Sequence, residues 1–265
     1  HAMSELFQQA VANTLPLLQS IEGGVKSTPK ASLAALKKLQ AAAKAASPAP
    51  LMTREDKNTT PWTWSTLEKA ILSCQKCPNL VSSRTQVVFG VGNRNAELMF
   101  IGEAPGADED KLGEPFVGRA GQLLTKIIEA MGFTRDDIFI ANVLKCRPDM
   151  PAGESGNRKP RMDEMTTCLP WLREQIQLVK PRVMVALGAT AAEGLLGETR
   201  PMRELRGQWL DFHSTPVMVT YHPAYLLRNQ TITEKRKVWE DMLLVLEKLG
   251  HPISEKQRKF FTSAA

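Results

Sequence analysis

Four short apolar runs, at residues 97–101, 138–143, 182–187 and 216–221, are separated by segments of helical periodicity, and this alternation constrains the fold more than anything else in the sequence. The runs are nearly continuous in Val, Ile, Leu, Met and Phe, as expected of strands buried on both faces. The segments between them read as helices: 121–131, stopped by Gly132, then 161–179 and 190–196, with 234–249 closing the pattern. Strands that alternate with helices this long predict an α/β fold with a parallel sheet covered by helices on both faces. In such sheets ligands bind beyond the carboxyl ends of the strands. That rule singles out 102–106, 142–147, 188–190 and 222–228.

The predicted organisation is a helical N-terminal extension and linker over 1–61, the α/β domain over 62–250 and a C-terminal tail over 251–265. Residues 4–21 and 31–46 carry helical spacing, and the Ser-, Pro- and Thr-rich stretch 47–61 marks the linker. The opening His1-Ala2-Met3 reads as a remnant of tag cleavage and is set aside. No stretch approaches the roughly 18 consecutive apolar residues of a membrane span, so a soluble cytoplasmic protein, off the membrane, is expected; a monomer is the expected assembly. The net charge of +6 divides evenly: residues 1–60 hold seven Lys/Arg against four Asp/Glu, leaving 27 against 24 beyond. This balance allows phosphate binding without requiring it.

Cys74 and Cys77 form a C-x2-C pair ahead of the first strand; Cys146 follows the second strand and Cys168 lies on the next helix. Four thiolates from two separated places can close around zinc or an iron–sulfur cluster. The absence of a second tight pair, with a proline shortly after Cys77, Cys146 and Cys168, tilts the reading toward iron–sulfur and leaves zinc open. In the loop Gly102-Glu103-Ala104-Pro105-Gly106-Ala107-Asp108-Glu109-Asp110, small residues let backbone approach a ligand among four acids. Phe116 stands between glycines ahead of a helix, suited either to the core or to a stacking platform. Asn142 ends an apolar strand, where an amide offers both donor and acceptor. His222 follows the last strand and precedes Pro223, which turns the chain away at the ligand edge.

Taken together, GEAPG-x-D-E-D, GEPFVGRAG, NVLKCRP and YHPAYLLR, in this order and with these cysteines, resemble the family 4 uracil-DNA glycosylases over residues 62–248. The resemblance implies a three-layer αβα sandwich with a four-stranded parallel sheet, a [4Fe-4S] cluster on Cys74, Cys77, Cys146 and Cys168, and uracil-containing DNA, single- or double-stranded, as partner. It implies that Phe116 stacks on a flipped uracil, that Asn142 reads the polar edge of the base, and that Glu103, Glu109 and His222 surround the scissile bond. Ala104 and Gly106, or Phe116, would crowd the C5 position and exclude thymine. Leu226, Leu227 and Arg228 would enter the minor groove, a leucine filling the vacated stack and the arginine meeting phosphate. The expected activity is monofunctional hydrolysis of the N-glycosidic bond in base excision repair, with Glu103 and Glu109 both open as the acid that holds water. Lys111 and Lys145 are the lysines of these motifs, and Schiff-base lyase chemistry is not expected. A branch trapped covalently on DNA has Gln at the place of Ala104 and a basic, histidine-bearing insert; both are absent here. The run from Met150 to Gly156 looks like an insertion relative to compact members.

Overall fold

A computed structural model of the chain describes residues 61–262, residues 152 and 155 excepted. The helices expected at 4–21 and 31–46 lie outside the described residues. The sheet is built from β1 (Val91–Gly92), β2 (Leu98–Gly102), β3 (Phe139–Asn142), β4 (Val183–Leu187), β5 (Trp209–Phe212) and β6 (Thr215–Thr220), in the order β1-β3-β2-β4-β6-β5. The four strands expected from sequence are its parallel centre, β3-β2-β4-β6. The expectation of four strands falls short, because β1 and β5 add antiparallel edges. β5 joins β6 through His213 and Ser214, at φ of 49° and 70°. A two-residue hairpin turn needs such left-handed backbone and is ordinarily announced by Asn-Gly or Gly, so His-Ser gives no signal in the sequence.

The helices are α1 (Trp64–Leu72), α2 (Pro78–Ser83), α3 (Ala107–Leu112), α4 (Arg119–Met131), α5 (Met162–Val179), α6 (Ala189–Leu196), α7 (Met202–Leu205), α8 (Pro223–Arg228), α9 (Ile232–Leu249) and α10 (Glu255–Arg258). Every residue of β2 and β4 is buried, which explains their unbroken apolar composition. Their side chains alternate between two cores. Leu98, Phe100, Val183 and Val185 pack with Leu124 and Ile128 of α4 and Met242 and Leu246 of α9. Met99, Ile101, Met184 and Ala186 pack with Ile71 of α1, Leu172 of α5 and Leu195 of α6. Residues after α9 extend the first of these cores: Phe260 packs against Trp239 with its ring tilted by 54°, and Gln257 donates to the Ala130 carbonyl.

β2 is followed in the chain by β3 on one side and, later, by β4 on the other. The chain thus changes direction at the carboxyl end of β2, which opens a crevice there. No helix among the described residues is long and apolar enough to cross a membrane.

Candidate active site and cysteine centre

The loop leaving β2, the Gly-Glu-Pro-Phe turn, the end of β3 and the start of α8 enclose a cavity of about 150 Å³ lined by Ala104, Gly106, Glu109, Phe116, Asn142 and His222, with Ala120, Asn157 and Ala224. Asn142 is 3% exposed, and its Oδ1 has no hydrogen-bond partner within the protein. A buried acceptor left unpaired is costly, so its presence at a cavity wall points to a ligand donor. Phe116 adopts φ 55°, outside the ordinary range for a bulky residue. The Arg135 guanidinium holds that turn by donating to the carbonyls of Pro115 (2.9 Å) and Phe116 (3.3 Å). Gly121 completes it, since a Cβ there would lie 1.8 Å from the Phe116 carbonyl oxygen.

The His222 ring lies 5.7 Å from that of Phe116, tilted by 30°. His222 caps α8, with Nδ1 accepting from the Ala224 N–H at 3.1 Å. A neutral imidazole that accepts at Nδ1 carries its proton on Nε2. Burial pushes the pKa down to about 4; Arg228 adds to the fall and Glu109 opposes it. His222 is therefore a neutral donor at neutral pH.

The two acids are placed differently. Glu109 lines the cavity, and its carboxylate accepts from the backbone of Gly106 (3.1 Å), Val117 (3.0 Å) and Gly118 (3.1 Å). It thereby joins the first loop to the loop that carries Phe116. Glu103 lies at the carboxyl end of β2 beside Thr190, Lys159 and Glu193; burial raises its pKa, against the Thr190 hydroxyl and Lys159. Asn157 also lines the cavity, and sequence reading did not single it out. Its neighbour Arg158 ties the loop down, pairing with Glu164 (2.7 Å) and Asp149.

Of the segment expected to meet DNA, Leu226 is 4% exposed and packs between α4 and α9, Leu227 is half-buried, and Arg228 is exposed.

The four cysteines line a single small cavity next to Lys145 and Trp171. Cys74 follows α1, Cys77 caps α2, Cys146 follows β3 and Cys168 lies within α5. Three sulfurs receive N–H donors: Cys146 from Arg84 (3.0 Å), Cys168 from the Lys145 backbone (3.3 Å) and Cys74 from Trp171 (3.4 Å). Burial raises Cys77 and Cys146 and pushes Cys168 up to about 12, with neighbouring cysteines adding to each rise. Among the described residues, no three or more His, Cys, Asp or Glu close on one point as a single metal ion would require. Lys145 is 1% exposed; burial pushes its pKa down to about 8, against the attraction of Cys168 and Cys146.

A mixed sheet with a parallel centre and, at its switch point, a cavity of about 150 Å³ walled by an aromatic ring, an amide and a histidine defines an α/β protein of the doubly wound kind. The model of the uracil DNA glycosylase superfamily matches residues 89–243. The chain belongs to that superfamily, in its type-4 family. It is 42% identical to the type-4 uracil-DNA glycosylase of Thermotoga maritima, an alignment spanning 66% of this chain and 89% of the relative. The type-4 enzyme of Archaeoglobus fulgidus is 37% identical over 73% of this chain and 94% of its own length, and that of Sulfurisphaera tokodaii 41% over 66% and 79%.

Proposed function

We propose that this chain is a monofunctional uracil-DNA glycosylase of DNA repair, and that Asn142 is the residue that recognises the base. The observation that carries the reading is the buried, unpaired Oδ1 of Asn142 beside the ring of Phe116. Uracil offers its imide N–H to that oxygen and a carbonyl to the Asn142 amide. Cytosine presents an acceptor at the same place and would leave the buried oxygen unpaired.

Uracil within a duplex must be flipped out, at a cost of roughly a few kcal/mol that a mismatch reduces, so U:G pairs are favoured substrates. Stacking on Phe116 returns about 1–3 kcal/mol. The backbone of Ala104 and Gly106, with Phe116, crowds C5 and rejects thymine. Leu227 is the better candidate to fill the vacated stack, since Leu226 is engaged in the core. Arg228, exposed at the end of α8, meets phosphate.

In hydrolysis a water oxygen attacks C1′ and passes a proton to the Glu109 carboxylate, the N-glycosidic bond breaks, and its electron pair leaves with the base as the uracil anion. The Nε2–H of neutral His222 donates to the uracil oxygen where that negative charge collects. Glu109, fixed by three amides at the cavity wall, is the acid suited to hold water and stabilise the cationic sugar, whereas Glu103 faces Thr190 and Lys159. Among the described residues no lysine lines the cavity, which supports an intact abasic strand as product.

Cys74, Cys77, Cys146 and Cys168 would hold a [4Fe-4S] cluster. The all-thiol donor set and the three N–H···S contacts suit thiolate ligands, whose potential and stability depend on such donors. When bound, the cluster supplies a structural cross-link between the segment before β1, the end of β3 and α5. Release of free uracil from a U:G oligonucleotide, leaving an alkali-labile strand and sparing T:G, tests the activity. Iron and sulfide analysis of the purified protein tests the cluster.

A further inference from the structure

Lys145 is almost fully buried, and its ammonium faces no carboxylate among the described residues. Nζ donates to the Asn142 carbonyl at 3.0 Å and to Gln175 Oε1 at 2.5 Å. Gln175, itself fully buried on α5, donates onward to the Phe89 carbonyl at 2.9 Å. Lys145 lines the small cavity shared by the four cysteines, and its own backbone N–H donates to the Cys168 sulfur at 3.3 Å. A buried ammonium without a counter-charge is strongly unfavourable, whereas a thiolate centre beside it supplies one. The same ammonium clamps the peptide of the one residue whose side chain presents an unpaired oxygen to the base cavity.

We propose that Lys145 is a positioning residue that joins the two sites, its charge balancing the cysteine centre while its Nζ fixes the Asn142 peptide and so the direction of the uracil-reading amide. This rests on the reading of the cysteines as cluster ligands and of Asn142 as the uracil reader. Base recognition then depends on an assembled cysteine centre even though no cysteine lines the base cavity.

The test compares wild type with Lys145→Met, which removes charge and donor at similar length, and Gln175→Met, which keeps the charge but loosens the clamp. Each protein is analysed for iron and sulfide, for the midpoint potential of the cluster by voltammetry, and for affinity to an oligonucleotide carrying non-cleavable 2′-fluorodeoxyuridine. Lys145→Met is expected to shift the potential to more negative values, because a nearby cation favours the more negative reduced cluster, and to raise Kd about tenfold. Gln175→Met is expected to raise Kd with the potential unmoved. Cluster-loaded Lys145→Met with wild-type potential and wild-type Kd overturns the proposal. If Lys145→Met does not fold, wild-type affinity in Gln175→Met overturns the positioning role. Absence of iron from wild type defeats the cluster reading instead, and the affinity measurements still decide whether Lys145 positions Asn142.

Discussion

Asn142 and Phe116 meet over Gly102: a Cβ on that glycine would stand 2.3 Å from Asn142 Oδ1 and 2.6 Å from Phe116 Cζ. Both contacts are with side-chain atoms of the cavity, so a methyl group displaces the recognition elements before it disturbs the sheet. Gly102→Ala is expected to lower kcat/KM on uracil DNA by at least about a hundredfold, as small misplacements in a preorganised site can. Its thermal midpoint should stay close to wild type. Steady-state kinetics with a melting curve check both halves.

His222 is held neutral by burial, with a pKa pushed down to about 4. The unfolded value is near 6.5, so the folded form resists protonation, and stability falls as pH drops from about 6.5 toward 4. Activity that depends on a neutral imidazole should stay level through the ordinary histidine range and fall only near the lower value. A kcat/KM profile in which an inflection near 6.5 is lost in His222→Gln would show instead that His222 titrates normally.

Glu109 and Glu103 separate by substitution. Glu109→Gln places an amide N–H₂ against backbone N–H groups that now donate to the carboxylate. It should reduce kcat by about a hundredfold or more, consistent with losing both charge and loop order. Glu103→Gln should cost less than about tenfold. Equal losses would remove the distinction drawn between the two acids.

The two leucines of α8 should also divide. Leu226→Ala removes a buried side chain and is expected to cost roughly 2–5 kcal/mol of stability. Leu227→Ala should leave stability nearly unchanged and reduce activity on double-stranded uracil DNA more than on single strands, where no stack needs filling. Urea denaturation and paired substrate assays distinguish these outcomes.

Asp241 of α9 is fully buried and joins Arg206 (2.9 Å) to the hydroxyl of Thr220 (2.6 Å), the residue that ends β6 two positions before His222. Asp241→Ala leaves that guanidinium without its counter-charge, with only the Lys237 carbonyl accepting from it (2.6 Å), and should destabilise the fold by about 3 kcal/mol. A change below 1 kcal/mol in chemical denaturation would show that the pair is not needed.

Where a pattern is periodic and long, as in β2, β4, α5 and α9, the sequence carries it, because burial on two faces or one leaves a regular apolar trace. β5 escaped reading, since its turn takes left-handed backbone at His213 and Ser214 without the residues that ordinarily permit it. Phe116, Asn142, Glu109 and His222 were legible because each follows a strand end or sits in a glycine-flanked loop. Asn157 was not, for it follows a polar Gly- and Ser-containing run and reaches the cavity only through the Arg158 tether to Asp149 and Glu164. The separate surroundings of Glu103 and Glu109 were equally hidden: Glu109 turns to the nearby backbone of Gly106, Val117 and Gly118, whereas Glu103 meets Thr190 and Glu193 of α6, about ninety residues further along.

The most direct test of the central claim is alkali-dependent cleavage of labelled U:G, U:A and T:G duplexes by wild type and by Asn142→Ala. The account predicts that wild type cuts both uracil substrates and leaves T:G intact, and that Asn142→Ala loses at least about a hundredfold in kcat/KM at unchanged folding. Wild-type cutting by Asn142→Ala would contradict the assignment of base recognition to the unpaired amide oxygen.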